Sequence, residues 1–158
     1  MKNSIKPCFI LLFVLVANLL PPPLLARARA EDVVALVSRD VDLPGLSLQD
    51  LRDIYQGNRK VWDNGKGIEL FLPPEGSPAM EILVKEVFRK HSSTDLSKFY
   101  LRAIFKNKFS KPPKSYRSGL EALALIHRTA GGIAIVSAHE FESDPLVRAV
   151  PILRTKEP

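Results

Sequence analysis

Residues Leu46 to Leu72, LSLQDLRDIYQGNRKVWDNGKGIELFL, carry a helix start, a helix stop, a tryptophan, a tight turn and a strand in one run. Ser47 and Asp50 have the spacing of a capping box, in which hydroxyl and carboxylate each take an orphan amide proton. Leu48, Leu51, Ile54 and Tyr55 recur at helical spacing, with Gln49, Arg52, Asp53 and Gln56 on the opposite face. Gly57 suits the left-handed residue that ends such a helix. Asp63-Asn64-Gly65 is turn chemistry, and Ile68, Leu70 and Leu72 alternate as in a strand. Trp62 is expected to be buried, fixing the loop after Gly57 against a sheet.

Upstream of this stretch, Lys2 and Lys6 precede an apolar run from Phe9 to Leu20, and Pro21-Pro22-Pro23 ends it. Ala28-Arg29-Ala30 offers a small-x-small cleavage site, so residues 1–30 read as a signal peptide and residues 31–158 as the mature domain. The apolar run is shorter than the ~20 residues a spanning helix needs. No integral membrane segment is therefore expected after cleavage. Lys2, Lys6, Arg27 and Arg29 leave with the signal, so 19 basic residues face 17 acidic ones and the apparent charge of +6 falls to +2. That balance argues against a nucleic-acid partner. Cys8 is the single cysteine and also leaves, which excludes disulfides, thiol catalysis and thiolate metal sites in the mature chain. A thiol-free exported domain suits the bacterial periplasm.

Downstream, the pattern alternates between strands and helices. Val33–Val37 is apolar on both faces, as in a central strand. Ser77 and Pro78 read as N-cap and first helical residue, followed by Met80, Leu83, Val84, Val87 and Phe88 at helical spacing. After a polar link from Arg89 to Thr94, Leu96, Phe99, Tyr100, Ala103 and Ile104 predict a second helix packed on the first. Ser118 and Glu121 read as another capping box, opening a helix to about Ala130. Ile133–Val136 and Val147–Leu153 are strands, with Pro151 placing the last at an edge. The sum is an α/β domain, a central sheet of about four or five strands flanked by helices.

The strings S-x-x-D-L-R-D-I-Y-x-G, W-x-N-G and I-E-L-F-L resemble the second-lobe signature of phosphate-type periplasmic solute-binding proteins of ABC transporters. Gly76-Ser77 at a strand-to-helix turn, Pro112-Pro113 before the last helix and Thr129–Val136 (TAGGIAIV) extend the resemblance over roughly residues 33–137. It implies a single lobe of a type II periplasmic-binding-protein fold, where the family has two lobes that close by hinge motion. It also implies a membrane transporter as partner and phosphate or another small oxyanion as ligand, while a sensor protein is the partner of the rival reading, an interaction module.

The anion-site candidate is the turn with Gly76, Ser77, Ala79 and Met80, because a helix N-terminus presents unpaired amides and positive potential. The family's turn resembles arginine followed by serine-glycine-threonine. Here Pro73 or Pro74 stands for the arginine, Pro78 for the glycine and Ala79 for the threonine. With few donors and one side open, binding is expected to be weak, and Arg117 or Lys114 must supply the cation. The rival expectation is a protein-interaction or sensor-associated module without a small ligand. Phe105–Lys111 interleaves cations with aromatics and reads as a solvated loop, or a surface for acidic partners or lipid headgroups. His127 reads as a satisfied histidine on the apolar face of the last helix, seven residues after Leu120. His139, Glu140 and Glu142 lack the helical pairing of a metal site. No nucleophile elbow, P-loop or dinucleotide fingerprint occurs, so neither an enzyme nor a cofactor is expected.

Overall fold

A computed structural model describes residues 33–141 and 143–153. The proposed signal peptide lies outside the described residues, as does Glu142. Strand β1 (Val33–Ser38) is followed by β2 (Leu46–Ser47), helix α1 (Leu48–Tyr55), β3 (Glu69–Leu72), α2 (Pro78–Ile82) and α3 (Ser93–Phe105). Then come β4 (Lys114–Ser115), α4 (Gly119–Arg128), β5 (Gly132–Ser137) and β6 (Val147–Leu153). The strands form one sheet in the order β2-β6-β1-β5-β3-β4. β1 runs antiparallel to β5 and β6, while β3 runs parallel to β5 and β4.

Both faces of this sheet are covered, which is why its strands read as unbroken apolar runs. Ala35 and Val37 of β1, Leu70 of β3 and Ile133 and Ile135 of β5 join α1, α2 and α3 in one core. The alternate residues Leu36, Phe71, Ala134 and Val136 meet Ala122 and Ile126 of α4 in a second core. Burial of each such large side chain contributes about 1.5–3 kcal/mol.

The organising stretch folds as its residues dictate. The Asp50 amide donates to Ser47 Oγ at 3.0 Å, and the Ser47 amide donates to the Asp50 carboxylate at 2.9 Å, closing the capping box. Gly57 follows α1 with φ +73°, and the Phe109 ring sits where a Cβ would be, 2.6 Å from that position. Trp62 is 2 % exposed and its Nε1–H donates to the Gly131 carbonyl at 2.9 Å. Gly131 itself has φ +78°, and an added Cβ would lie 2.2 Å from the Gly67 carbonyl oxygen. A side chain there is excluded twice, by backbone conformation and by space.

Helix α2 continues as a π-turn over Leu83–Val87, with the Phe88 amide reaching the Leu83 carbonyl at 2.8 Å. Met80, Leu83, Val84, Val87 and Phe88 are all buried, as their spacing predicts. The free carbonyls of this turn are satisfied from α1. Arg52 Nε donates to the Val87 carbonyl and an Arg52 terminal nitrogen to the Glu86 carbonyl, each at 3.0 Å. Phe88 then packs edge-on against Phe99 (5.0 Å between centroids) and Tyr100 (5.8 Å), joining α2 to α3 as a hairpin.

The structure corrects several expectations. The sheet has six strands because β2 and β4 are two residues each, too short for any periodicity. α3 starts at Ser93, capped by Ser92, so the polar link is shorter than Arg89–Thr94. The Glu121 carboxylate completes its cap on the Arg117 amide at 2.8 Å. Leu120 is 76 % exposed and His127 is also exposed, because α4 turns Ala122 and Ile126 to the sheet. β6 is not an edge strand, although β2 pairs only with its residues Ile152 and Leu153, leaving Pro151 bonded to β1 alone.

Candidate functional site

Strand β3 ends at Leu72, and Pro73 to Gly76 turn the chain into α2. Gly76 is exposed with φ +74°, and Ser77 is extended at φ −77°, ψ 152°, as an N-cap requires. Ser77 Oγ accepts from the Met80 amide at 3.1 Å and donates to the Pro74 carbonyl at 2.8 Å. The hydroxyl is thus engaged as both acceptor and donor within its own turn. Pro78 has no N–H, the Ala79 amide is not taken by Ser77, and the Ala79 and Met80 side chains are buried.

Parallel pairing brings a second helix start to the same edge. Phe71 and Leu72 pair with Lys114 and Ser115, and the Tyr116 amide extends the ladder to the Leu72 carbonyl at 3.1 Å. Two residues later Ser118 caps α4, accepting from the Glu121 amide at 3.2 Å. The chain leaving β5 closes in from the other side, with the Glu140 carbonyl packed against Gly119. The C-terminal ends of three parallel strands therefore converge, with Gly76–Met80 and Arg117–Gly119 after two of them.

The two cations expected to serve this edge part company. Arg117 is exposed, and its guanidinium has no partner among the described residues. Lys114 reaches back along β3 to Glu69 at 3.5 Å, beside Lys111 at 3.1 Å. Glu75, Glu121 and Glu140 are exposed in the same neighbourhood and oppose an anion. Tyr116 lies beneath, buried and donating to the Ile135 carbonyl. Burial first, and then the Glu140 charge, push its phenol well above the usual range.

The remaining sequence candidates lie elsewhere. His127 Nε2 is 2.7 Å from Asp144 Oδ1. The Leu146 amide is the main influence holding that carboxyl below its ordinary value, with His127 adding to it. His139 is exposed, and no group of three potential metal ligands occurs among the described residues. Of the two aromatics in the basic stretch, Phe109 lies in the loop and packs on Tyr100 at 5.5 Å, whereas Phe105 is not in a loop but is the last residue of α3 and is 80 % exposed. A feature that the sequence reading missed is a cavity of about 400 Å³ in which Arg59 and Lys60 meet Lys108. The only local signal was the Arg59-Lys60 pair after Gly57, and the partner lies some fifty residues on.

No helix of the described residues is long and apolar enough to cross a membrane. Among solved structures, an ABC-type phosphate transport receptor from Vibrio cholerae superposes with a TM-score of 0.53 at 14% identity, covering 77% of this chain and 46% of that one. A protein from Clostridium perfringens, assigned as a phosphate ABC transporter substrate-binding protein and solved with phosphate bound, gives 0.54 at 15% identity over 77% and 44%. PstS from Borrelia burgdorferi gives 0.50 at 11% identity over 80% and 49%. This chain has the fold of a single periplasmic-binding-protein lobe. The chain spans about half the length of each of these proteins. No family profile and no curated protein matches its sequence.

Proposed function

We propose that this chain is an exported solute-binding lobe, a binder rather than an enzyme, that takes phosphate or a similar small oxyanion weakly at the Gly76–Met80 turn. The observation that carries the reading is the convergence of β3, β4 and β5 at one edge, where α2 and α4 start and the Arg117 guanidinium is unpaired. In open α/β sheets, ligands bind beyond the carboxyl ends of the strands. A membrane transporter or a sensor protein is the partner this role calls for.

Weakness follows from the donors. Ser77 Oγ is already bonded twice, Pro78 offers no proton, and a charge contact at 4 Å facing water contributes only about 1 kcal/mol. Phosphate is therefore expected to bind no tighter than the millimolar range, about 4 kcal/mol. Titration calorimetry with phosphate on the parent, Ser77→Ala and Arg117→Ala tests this. Arg117→Ala should abolish the heat. Micromolar binding lost on Ser77→Ala would mean a far stronger site than the geometry allows.

The second reading, a protein-interaction module, draws on Leu101 and Phe105, one helical turn apart on α3 and 57 % and 80 % exposed. Silence in all three titrations, together with an exported partner whose capture is lost on Phe105→Ser, would favour it.

A further inference from the structure

The end of β3 remote from Gly76 borders the cavity of about 400 Å³, a size within the range of small-molecule sites. Its floor is apolar, made by Ile54, Ile68, Leu70 and the Phe109 ring. Its rim is cationic, with Arg59 and Lys60 on the α1 side and Lys108 on the α3–β4 loop. None of the lining residues is acidic. We propose that this cavity binds a small amphipathic carboxylate, with its acyl or aryl body on the floor and its single anionic head at the Arg59–Lys60–Lys108 rim.

The cavity is held open by structure that does not depend on a ligand. Phe109 is wedged against Gly57, whose missing Cβ leaves the ring its place, and against Tyr100. The turn carrying the opposite wall is fixed by the Asn107 amide on the Ile104 carbonyl at 2.9 Å and the Lys108 amide on the Ala103 carbonyl at 2.8 Å. The rim cations are only lightly committed. Lys108 Nζ donates to the neutral Asn58 side chain at 2.8 Å, and Lys60 has no side-chain partner among the described residues. Arg59 pairs with Asp63 at 2.7 Å, but the Asp63 side chain is 86% exposed, so little is lost on exchanging it for a ligand carboxylate.

Chemistry narrows the occupant. An inorganic oxyanion would leave the half-buried Ile68 and Phe109 facing water, and a neutral apolar molecule would leave Lys60 and Lys108 without a carboxylate partner. Lys111 and Lys114 next door share the single Glu69 carboxylate, whereas the lining of this cavity holds no acidic residue, so its rim suits one anionic head. This inference is independent of oxyanion binding at Gly76–Met80, which lies at the other end of β3.

The experiment is a calorimetric titration of the purified protein with octanoate, followed in parallel by the fluorescence of Trp62, the chain's one tryptophan. The Arg59 guanidinium lies 5.5 Å from the Trp62 ring, so an anion that draws it away changes the emission. Saturable one-site binding is expected, at least tenfold tighter than for acetate or octanol. Lys60→Glu, an exposed position where folding is safe, should weaken octanoate at least tenfold, and Ser77→Ala should leave it unchanged. No saturable octanoate binding would overturn the proposal, as would equal affinity for octanol or indifference to Lys60→Glu. Displacement of octanoate by inorganic phosphate at matched concentration would also overturn it.

Discussion

Trp62 and Gly131 are the pair on which the loop before β3 depends. The indole is buried and its N–H donates to the same Gly131 carbonyl that accepts from the Glu69 amide at 3.2 Å. Trp62→Ala is expected to cost about 3–5 kcal/mol, the range for emptying the space of a large aromatic. Trp62→Phe should cost about 1 kcal/mol beyond the change in ring size, since one hydrogen bond is lost while Gly131 keeps its other donor. Gly57→Val should destabilise for two reasons, the positive φ and the eviction of Phe109. Denaturant melts rank the three variants, and a Trp62→Ala curve lying on the parent's would refute the assigned role.

At the level of elements, the helices are held at their ends as much as along their faces. Tyr100 donates to the Tyr55 carbonyl at 3.0 Å, and Tyr55 in turn donates to the Phe71 carbonyl at 3.2 Å, so two phenols tie α3 to α1 and α1 to β3. Arg52 performs the same service for the π-turn after α2. Arg52→Lys keeps the charge but cannot span two carbonyls with one planar fork. It is expected to lose about 1–2 kcal/mol, against about 1 kcal/mol for removing the α1 cap with Ser47→Ala. Urea midpoints of the two variants, read with their double mutant, should show near-additive losses, because the cap and the fork share no partner.

Over the whole molecule, the three tyrosines of the chain are all buried and all have their phenols pushed above the ordinary value of 10.0, chiefly by burial. A raised folded value means that the native state holds these protons after the unfolded chain has released them. Stability is therefore fully present below pH 10 and falls above it, by up to about 4 kcal/mol per pH unit for three groups at ~1.4 kcal/mol each. Absorbance of tyrosinate should rise in one cooperative step together with loss of far-ultraviolet dichroism. Gradual ionisation of a folded protein would contradict the assigned burial. Intact-mass measurement of exported protein is expected to begin at Glu31, after Ala28-Arg29-Ala30, and a retained apolar leader would refute cleavage there.

What the sequence alone determined is what chain neighbours encode. Ser47 and Asp50 specify a helix start whatever lies across the fold, and Val33–Val37 demands cover on both sides whatever supplies it. The identity of each partner was decided only by the tertiary structure. Leu46 pairs with Ile152, and Lys114 with Phe71, in strands too short to have a period. The rotation of α4 is set by Ala122 and Ile126 meeting Phe71 and Val136, which turns Leu120 and His127 outward against the simple seven-residue spacing. At the candidate site, Gly76 and Ser77 were legible as a turn and a cap. The return of the Ser77 hydroxyl to the Pro74 carbonyl and the parting of Arg117 from Lys114 were not. Periodicity records how much of a residue must leave water, but carries no address for the group it meets. Arg59, Lys60 and Lys108 share one rim because α1 and α3 pack on the same sheet face, a fact that belongs to the fold and to no segment of the chain.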